Sequence, residues 1–264
     1  MIDFHNHVLP NIDDGSKSID MSLEMMQYAA GQGITDVVNT VHYQHPKVVT
    51  EKISYQRIQN ELKKFQLELD SNNISVKLHA GAEVFFLPNL CEISGDPLAT
   101  FINGKYMLIE FQVHQIPEIQ KQELFDLKMA GVTPIIAHPE RYRQVQDSIE
   151  FVTEWLEAGC IIQVDAGSPL GHFGSASKLA SEKIIKNGWC HILGSDAHNN
   201  HKRNFCLRES VDMVRNWIGN GVDPMVYDNP LNVIKGKPID IDFDYHEHKK
   251  HGFFSRIRER IGLS

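Results

Sequence analysis

Met1-Ile2-Asp3-Phe4-His5-Asn6-His7 is a short apolar run that delivers two imidazoles at its end. Side chains two apart on an extended segment share a face, so His5 and His7 can reach one ion from a single strand. The pattern recurs downstream. Further short runs rich in β-branched residues lie at 35–41, 76–82, 106–110, 133–137, 161–164 and 191–193. Helix-length amphipathic stretches separate them, at 19–31, 50–69, 119–130, 149–158 and 175–187, with a last one at 203–218. The alternation predicts an α/β chain built on a parallel sheet, and seven short strands with covering helices read as a barrel or near-barrel. In the first helix Ile19, Leu23, Met26 and Ala30 are expected on the buried face, with Gly31 or Gly33 ending it. Gly131, Gly159 and Gly188 mark the ends of three others.

Six of the seven predicted strands run into a residue that binds hard or borderline cations: His5 and His7, His42, Glu83, Glu110, His138 in His138-Pro139-Glu140-Arg141, and Asp196 with His198 in Ser195-Asp196-Ala197-His198. A turn, Asp13-Asp14-Gly15, follows the first strand. Each piece alone has an ordinary explanation. Histidine pairs cap strands, Asp-Asp-Gly is more often a turn than a ligand loop, and Glu110 could be a surface residue beyond a buried strand. The repetition is harder to dismiss, because in a parallel barrel these ends converge on one face. Mixed imidazole and carboxylate donors suit zinc, manganese or iron, and bridging carboxylates suit more than one ion. Arg141 and Arg203 flank two of the segments. Their forked donors match phosphate oxygens, and they match a ligand carboxylate equally well.

Composition narrows the field. The chain of 264 residues, 42% hydrophobic and 23% charged, suits one large α/β domain or two small ones. A net charge of -8 argues against general affinity for nucleic acid. Cys91, Cys160, Cys190 and Cys206 form no Cys-x-x-Cys pair, which fits reduced thiols in a cytoplasm. No signal peptide is expected from the first residues, and no apolar run approaches the ~20 residues of a membrane span. Cysteine-phosphatase chemistry needs Cys-x5-Arg, and the residues six beyond the cysteines are Pro97, Ala166, Asp196 and Asp212.

Taken together and in order, these segments resemble the polymerase-and-histidinol-phosphatase (PHP) family. Within it they are most similar to bacterial protein-tyrosine phosphatases encoded with capsule and exopolysaccharide genes. The resemblance runs from Met1 to about Phe205 through Asp3-Phe4-His5-Asn6-His7-Val8-Leu9-Pro10, Ile12-Asp13-Asp14-Gly15, Thr40-Val41-His42, Gly81-Ala82-Glu83, Leu108-Ile109-Glu110-Phe111, Ile136-Ala137-His138-Pro139-Glu140-Arg141 and Ser195-Asp196-Ala197-His198-Asn199. It implies a distorted seven-stranded (β/α) barrel of the PHP type, related to the TIM barrel, holding three divalent metals. His5, His7, Glu83 and Asp196 would hold the first, Glu83, Glu110 and His138 the second, and Asp14, His42 and His198 the third. Manganese is the usual family metal, with iron or zinc as substitutes. Arg141 and Arg203 match the phosphate-contacting arginines. The implied substrate is phosphotyrosine, often on a membrane-linked tyrosine kinase controlling polysaccharide export. Val41, Tyr43 and Asp165-Ala166-Gly167-Ser168 depart from the family pattern but leave every metal position filled.

A metal-dependent amidohydrolase, or another PHP-type phosphoesterase acting on small molecules, is the alternative enzyme. Amidohydrolases share the His-x-His start and the strand-end Asp, but often use a modified lysine where Glu83 and Glu110 stand here. The phosphatase barrel is assigned to residues 1–245 and a basic tail to 246–264. In the tail, Phe253, Phe254, Ile257 and Ile261 interleave with arginines. It reads either as a solvated terminus or as an amphipathic contact for anionic lipid or a partner.

Overall fold

The computed structural model describes residues 1–46, 48 and 53–240. The expected basic tail, and the end of the expected barrel domain, lie outside them. In chain order the elements are β1 (Ile2–Asn6), α1 (Ile19–Gly31), β2 (Asp36–Tyr43), α2 (Tyr55–Ser71), β3 (Lys77–Phe85), α3 (Leu90–Ile93), β4 (Tyr106–Glu110), α4 (Gln120–Met129), β5 (Thr133–Ala137), α5 (Arg143–Asp147) and α6 (Glu150–Glu157). Then come β6 (Ile161–Asp165), α7 (Gly167–Leu170), α8 (Gly174–Lys186), β7 (Ile192–Gly194), α9 (Leu207–Ile218), α10 (Asp223–Val226) and α11 (Asp228–Ile234).

The strands form one parallel sheet in sequence order, β1 through β7. Its two edges meet just beyond β7. Asp196 N–H donates to His5 O at 2.7 Å and His7 N–H to Ala197 O at 2.8 Å, with Asn6 and Ala197 bridged in parallel. The Asp3 carboxylate adds a seam by accepting from the Ser195 backbone N–H (3.1 Å) and hydroxyl (2.5 Å). The result is a nearly closed seven-stranded barrel with helices outside, as the sequence predicted.

The period of two along each strand explains where the expected ligands sit. One set of alternate positions, among them Ile2 and Phe4, Tyr106 and Leu108, Ile135 and Ala137, Ile161 and Ile192, forms an apolar cluster with Phe101, Val233 and Ile239. Continuing each strand by twos from that cluster reaches Thr40 and His42 from Val38, Glu110 from Leu108, Gln163 and Asp165 from Ile161, and Asp196 from Ile192. The lower layers of the barrel are thus oily and the upper rim is polar. Between Asp3 and Asn6 the β1–β2 register slips, an irregularity of the kind that re-aims side chains at barrel rims. The other strand faces pack with the helices in a second, larger core.

Some expectations on element bounds and faces need correction. β2 and β3 run on through Tyr43 and Phe85, so His42 and Glu83 lie inside strands and are direct register partners. In α1 the buried residues are Ser22, Met25, Met26 and Ala29, while Ile19 is exposed and Leu23 and Ala30 are only half-buried. The helix is rotated because the Ser22 hydroxyl donates to Val8 O at 2.6 Å, an inward-facing polar anchor that a hydrophobicity pattern cannot show. The predicted helix at 203–218 starts only at Leu207, which leaves Arg203 on the loop after β7. The short helices α3, α5, α7, α10 and α11 carry too few residues for a periodic signal. The expected caps Gly131, Gly159 and Gly188 adopt positive φ, and at the end of α1 it is Gly33 that does so.

Candidate metal centre

All nine residues expected to ligate metal meet on the rim. Four groups of side chains have donor atoms within 4.8 Å of one another: His5, His7, Glu83 and Asp196; Glu83, Glu110 and His138; His7, Asp14, His42 and His198; and His42, His45 and Glu110. The first two match the expected sets, and the third adds His7 to its set. The fourth contains His45, which the sequence reading did not single out. Asp14 is 43% exposed whereas Glu83 is 1% and Asp196 3% exposed, so the cluster opens to solvent on the Asp14 side.

The tautomers follow from the partners. His5 Nδ1 faces Gln163 Oε1 at 3.0 Å, and Gln163 Nε2 donates to Val164 O at 2.9 Å, which identifies the Gln163 oxygen as acceptor and His5 Nδ1 as donor. His7 Nδ1 meets Asp13 Oδ2 at 2.8 Å, and His198 Nδ1 meets Asp196 O at 2.9 Å. All three rings therefore turn Nε2 toward the cluster, the arrangement in which an oxygen acceptor orients a ligating histidine. His5 Nε2 is 3.1 Å from Glu83 Oε2, His7 Nε2 is 3.3 Å from it, and His42 Nδ1 is 3.2 Å away. His42 and His198 both point Nε2 at Asp14 Oδ1, at 3.2 and 3.3 Å. His138 Nε2 lies 2.9 Å from Glu83 Oε1 and 3.8 Å from Glu110 Oε1. Glu83 sits at the centre of the constellation.

Backbone shape supports this crowding. His138 and Asp196 hold left-handed φ values of 32° and 45°, uncommon for residues with a side chain and concentrated at functional sites. A Cβ on Gly15 would lie 2.1 Å from His7 O, so only glycine lets the Asp13-Asp14 turn close over the histidine strand. A Cβ on Gly194 would meet His5 Cβ at 2.7 Å, and the bare backbone there admits the His5 ring.

Electrostatics test whether the set fits cations. Burial opposes charge on His5, but Glu83 and Asp196 outweigh it and raise the imidazole to about 9. Burial, then the neighbouring Glu83, push Glu110 up to about 8, while surrounding histidines hold Glu83 well below the usual carboxylate range despite its burial. Carboxylates this close cannot both ionise comfortably without positive charge between them. Buried atoms without a hydrogen-bond partner include His5 Nε2, His7 Nε2, His42 Nδ1, Glu110 Oε2 and Asp196 Oδ1. Buried polar atoms are ordinarily satisfied, so orphaned donors of ligating type converging on one volume fit bound divalent metals.

Arg141 and Arg203 approach from the other side. Arg141 Nη1 and Arg203 Nη2 each lie 2.5 Å from Asp196 Oδ2, and Arg141 also reaches Asp165 Oδ2 at 3.3 Å. Of the two roles the sequence left open, carboxylate pairing is therefore present. Arg203 Nε, buried with no partner, is a donor left over.

Several rim residues take roles that the sequence did not assign them: Gln163, Asp13 as the orienter of His7, Asp165, and Glu140, whose Oε1 accepts from Asp165 N–H (3.1 Å) and the Ser168 hydroxyl (2.6 Å). Asp13 could have been flagged as the neighbour of Asp14. Nothing in the sequence points to Gln163. Tyr43, at a departure from the family pattern, donates its hydroxyl to Asp96 at 2.9 Å. The next imidazole along, His45, has its ring centroid 4.5 Å from that of His42, with the two rings tilted by 31°.

Fold and rim together define a class: a nearly closed seven-stranded (β/α) barrel with a histidine–carboxylate cluster of metal-binding type at the carboxyl ends of its strands. The capsular polysaccharide synthesis CpsB/CapC family model matches residues 1–235, and the chain belongs to that family. It is 32% identical over 217 residues to a Staphylococcus aureus CapC protein, covering 79% of this chain and 81% of that one. It is 29% identical to the tyrosine-protein phosphatase YwqE of Bacillus subtilis, over 90% of this chain and 93% of that one. A solved structure from work on YwqE and Streptococcus pneumoniae CpsB, described as metal-dependent tyrosine phosphatases, superposes with a TM-score of 0.85 at 28% identity. It covers 91% of this chain and 96% of that chain.

Proposed function

We propose that this chain is a metal-dependent protein-tyrosine phosphatase. His5, His7, Asp14, His42, Glu83, Glu110, His138, Asp196 and His198 hold divalent metals, three in number and most suitably manganese, with iron or zinc as substitutes. The observation that carries the reading is the convergence of two arginines on Asp196, a member of a buried cluster in which several atoms of ligating type lack a hydrogen-bond partner. Bound divalent ions would acidify water and neutralise charge on a phosphoryl group.

The chain's own groups do the rest. Arg141 and Arg203 turn the donors not used by Asp196 toward the phosphoryl oxygens, where charge-assisted bonds hold the ester in line for attack by water. Gln163, Asp13 and the Asp196 carbonyl keep Nδ1 of His5, His7 and His198 protonated and Nε2 available. A tyrosine leaving group of pKa about 10 departs as phenolate without an obligatory strong acid. No side-chain nucleophile is required.

The substrate is a phosphotyrosine protein, with a membrane-linked tyrosine kinase of capsule or exopolysaccharide synthesis as the partner of choice. The family, named for capsular polysaccharide synthesis, and relatives named as tyrosine phosphatases support a phosphotyrosine substrate in that process. Among the described residues no helix is long and apolar enough to cross a membrane, and the assigned place of action is the cytoplasm. We also propose that the basic tail at 246–264, outside the barrel unit of 1–245, makes a weak contact with lipid or a partner. Metal analysis alongside phosphotyrosine, phosphoserine and histidinol phosphate assays tests the reading. Turnover should favour phosphotyrosine and vanish on exhaustive chelation, and full activity after metal stripping would refute it.

A further inference from the structure

We propose that Phe173 gives this site its preference for aryl over alkyl phosphate esters, by walling the cleft beside the two arginines. The inference rests on the phosphatase reading and adds to it the residue that recognises the leaving group.

Phe173 sits in Gly171-His172-Phe173-Gly174, on the link from α7 to α8 above β6. Gly171 and Gly174 both take left-handed φ, +88° and +87°. The chain therefore bends sharply on either side of His172-Phe173, in a shape that residues with a Cβ resist. The tip is fixed in place. His172 N–H donates to Gly167 O at 3.0 Å and Gly174 N–H to Gly171 O at 3.1 Å. A Cβ on Gly167 would stand 2.9 Å from His172 Nδ1 and 3.0 Å from Phe173 Cε2, so the tip is seated on bare backbone.

This seating places an aromatic ring against the arginine assigned to the phosphate. Arg141 Cζ lies 4.6 Å from the Phe173 ring centroid, a cation–π contact on one face of the ring. Half-buried, the ring also lines a cavity of about 220 Å³ that reaches down to Asp165 and Ser195 and is bounded by Arg203, Lys202 and His172. Phe173 thus touches Arg141 and also walls the cavity that Arg203 bounds, so an ester whose phosphoryl group is held by the two arginines has this cavity open to its leaving group. A phenyl ring there meets the ring of Phe173 and the guanidinium of Arg203, contacts that aromatic quadrupoles favour. The single methylene of an alkyl ester reaches neither. Arg141 itself is anchored by Asp165 and Asp196, so its position does not depend on Phe173.

The test uses full-chain, metal-loaded protein with two peptides of one sequence, one phosphorylated on tyrosine and the other on serine. Affinity for inorganic phosphate is measured calorimetrically in parallel. Phe173→Leu should lower kcat/KM on the phosphotyrosine peptide roughly tenfold, mainly through KM, with phosphoserine turnover and phosphate affinity changed by less than about twofold. Phe173→Tyr should keep the wild-type preference. An equal fall on both peptides with weakened phosphate binding would reduce Phe173 to a prop for Arg141 and overturn the proposal, and so would an unchanged preference in Phe173→Leu. Wild-type protein inert toward the phosphotyrosine peptide would instead refute the phosphatase reading, and this inference with it.

Discussion

Asp13 illustrates how much of the centre depends on residues that touch no metal themselves. Its carboxylate accepts from His7 Nδ1 (2.8 Å), from His42 N–H (3.1 Å) and from Gly15 N–H (3.0 Å), joining a ligand strand, the next strand and the turn between them. Burial works against its charge, but the His7 imidazole and these donors lower it to about 2, so it stays ionised. Asp13→Asn should weaken metal binding 10- to 100-fold, the usual effect of losing a carboxylate behind a ligating histidine. Competition with a chelator measures it, and unchanged affinity would show that the turn alone orients His7. The nine proposed ligands were legible because imidazole and carboxylate at successive strand ends are distinctive in themselves. Gln163, Glu140 and Phe173 were not, since an amide, one more acid or one more aromatic acquires a role only from what lies three to five ångströms away.

At the scale of elements, α1 shows where a periodic reading stops. Its limits, Ile19–Gly31, agree with the sequence, because Ser18 caps the start by accepting from Met21 N–H and Gly33 supplies the left-handed turn at the end. Its rotation does not agree, because Ser22 faces inward, bonded to Val8 O just beyond the histidine strand. Ser22→Ala should leave that buried carbonyl short of a donor and destabilise the protein by about 1–3 kcal/mol. Urea denaturation reads this directly, and an unshifted midpoint would mean that Met25 and Met26 alone set the helix face. The strands were easier. Their limits moved by no more than a few residues, and the movement matters only at β2 and β3, where His42 and Glu83 gain the rigidity of paired backbone.

For the molecule as a whole, the polar rim is held at some expense of stability, and pH exposes it. Burial raises Glu140 from the ordinary glutamate range to about 7, against the hydrogen bonds from Ser168 and Asp165, and its Oε2 has no partner. A carboxyl whose folded value is raised binds its proton more tightly folded than unfolded. Its contribution is therefore complete below about 4.5 and declines as pH climbs through about 7. Glu140→Gln removes that titration. Relative to wild type, the variant should gain on the order of 3 kcal/mol between pH about 4.5 and pH about 8. Denaturation midpoints of both proteins at the two pH values decide it, and parallel pH profiles would show that Glu140 carries no such penalty.

The alternation of strand and helix, the apolar-to-polar order along the strands and the identity of the nine histidines and carboxylates that gather at the rim were all written in the linear chain, because each depends on residue type and on spacing within one element. The hydrogen bonds that close the barrel between β1 and the segment after β7, the sharing of Glu83 among histidines from three other strands or strand ends, and the meeting of Arg141 and Arg203 at one oxygen of Asp196 were decided only by the tertiary structure. The reason is physical. Such contacts join residues more than 50 positions apart in most cases, and whether they form is fixed by register, strand twist and a few hydrogen bonds at the β1–β7 seam, none of which leaves a periodic trace in sequence.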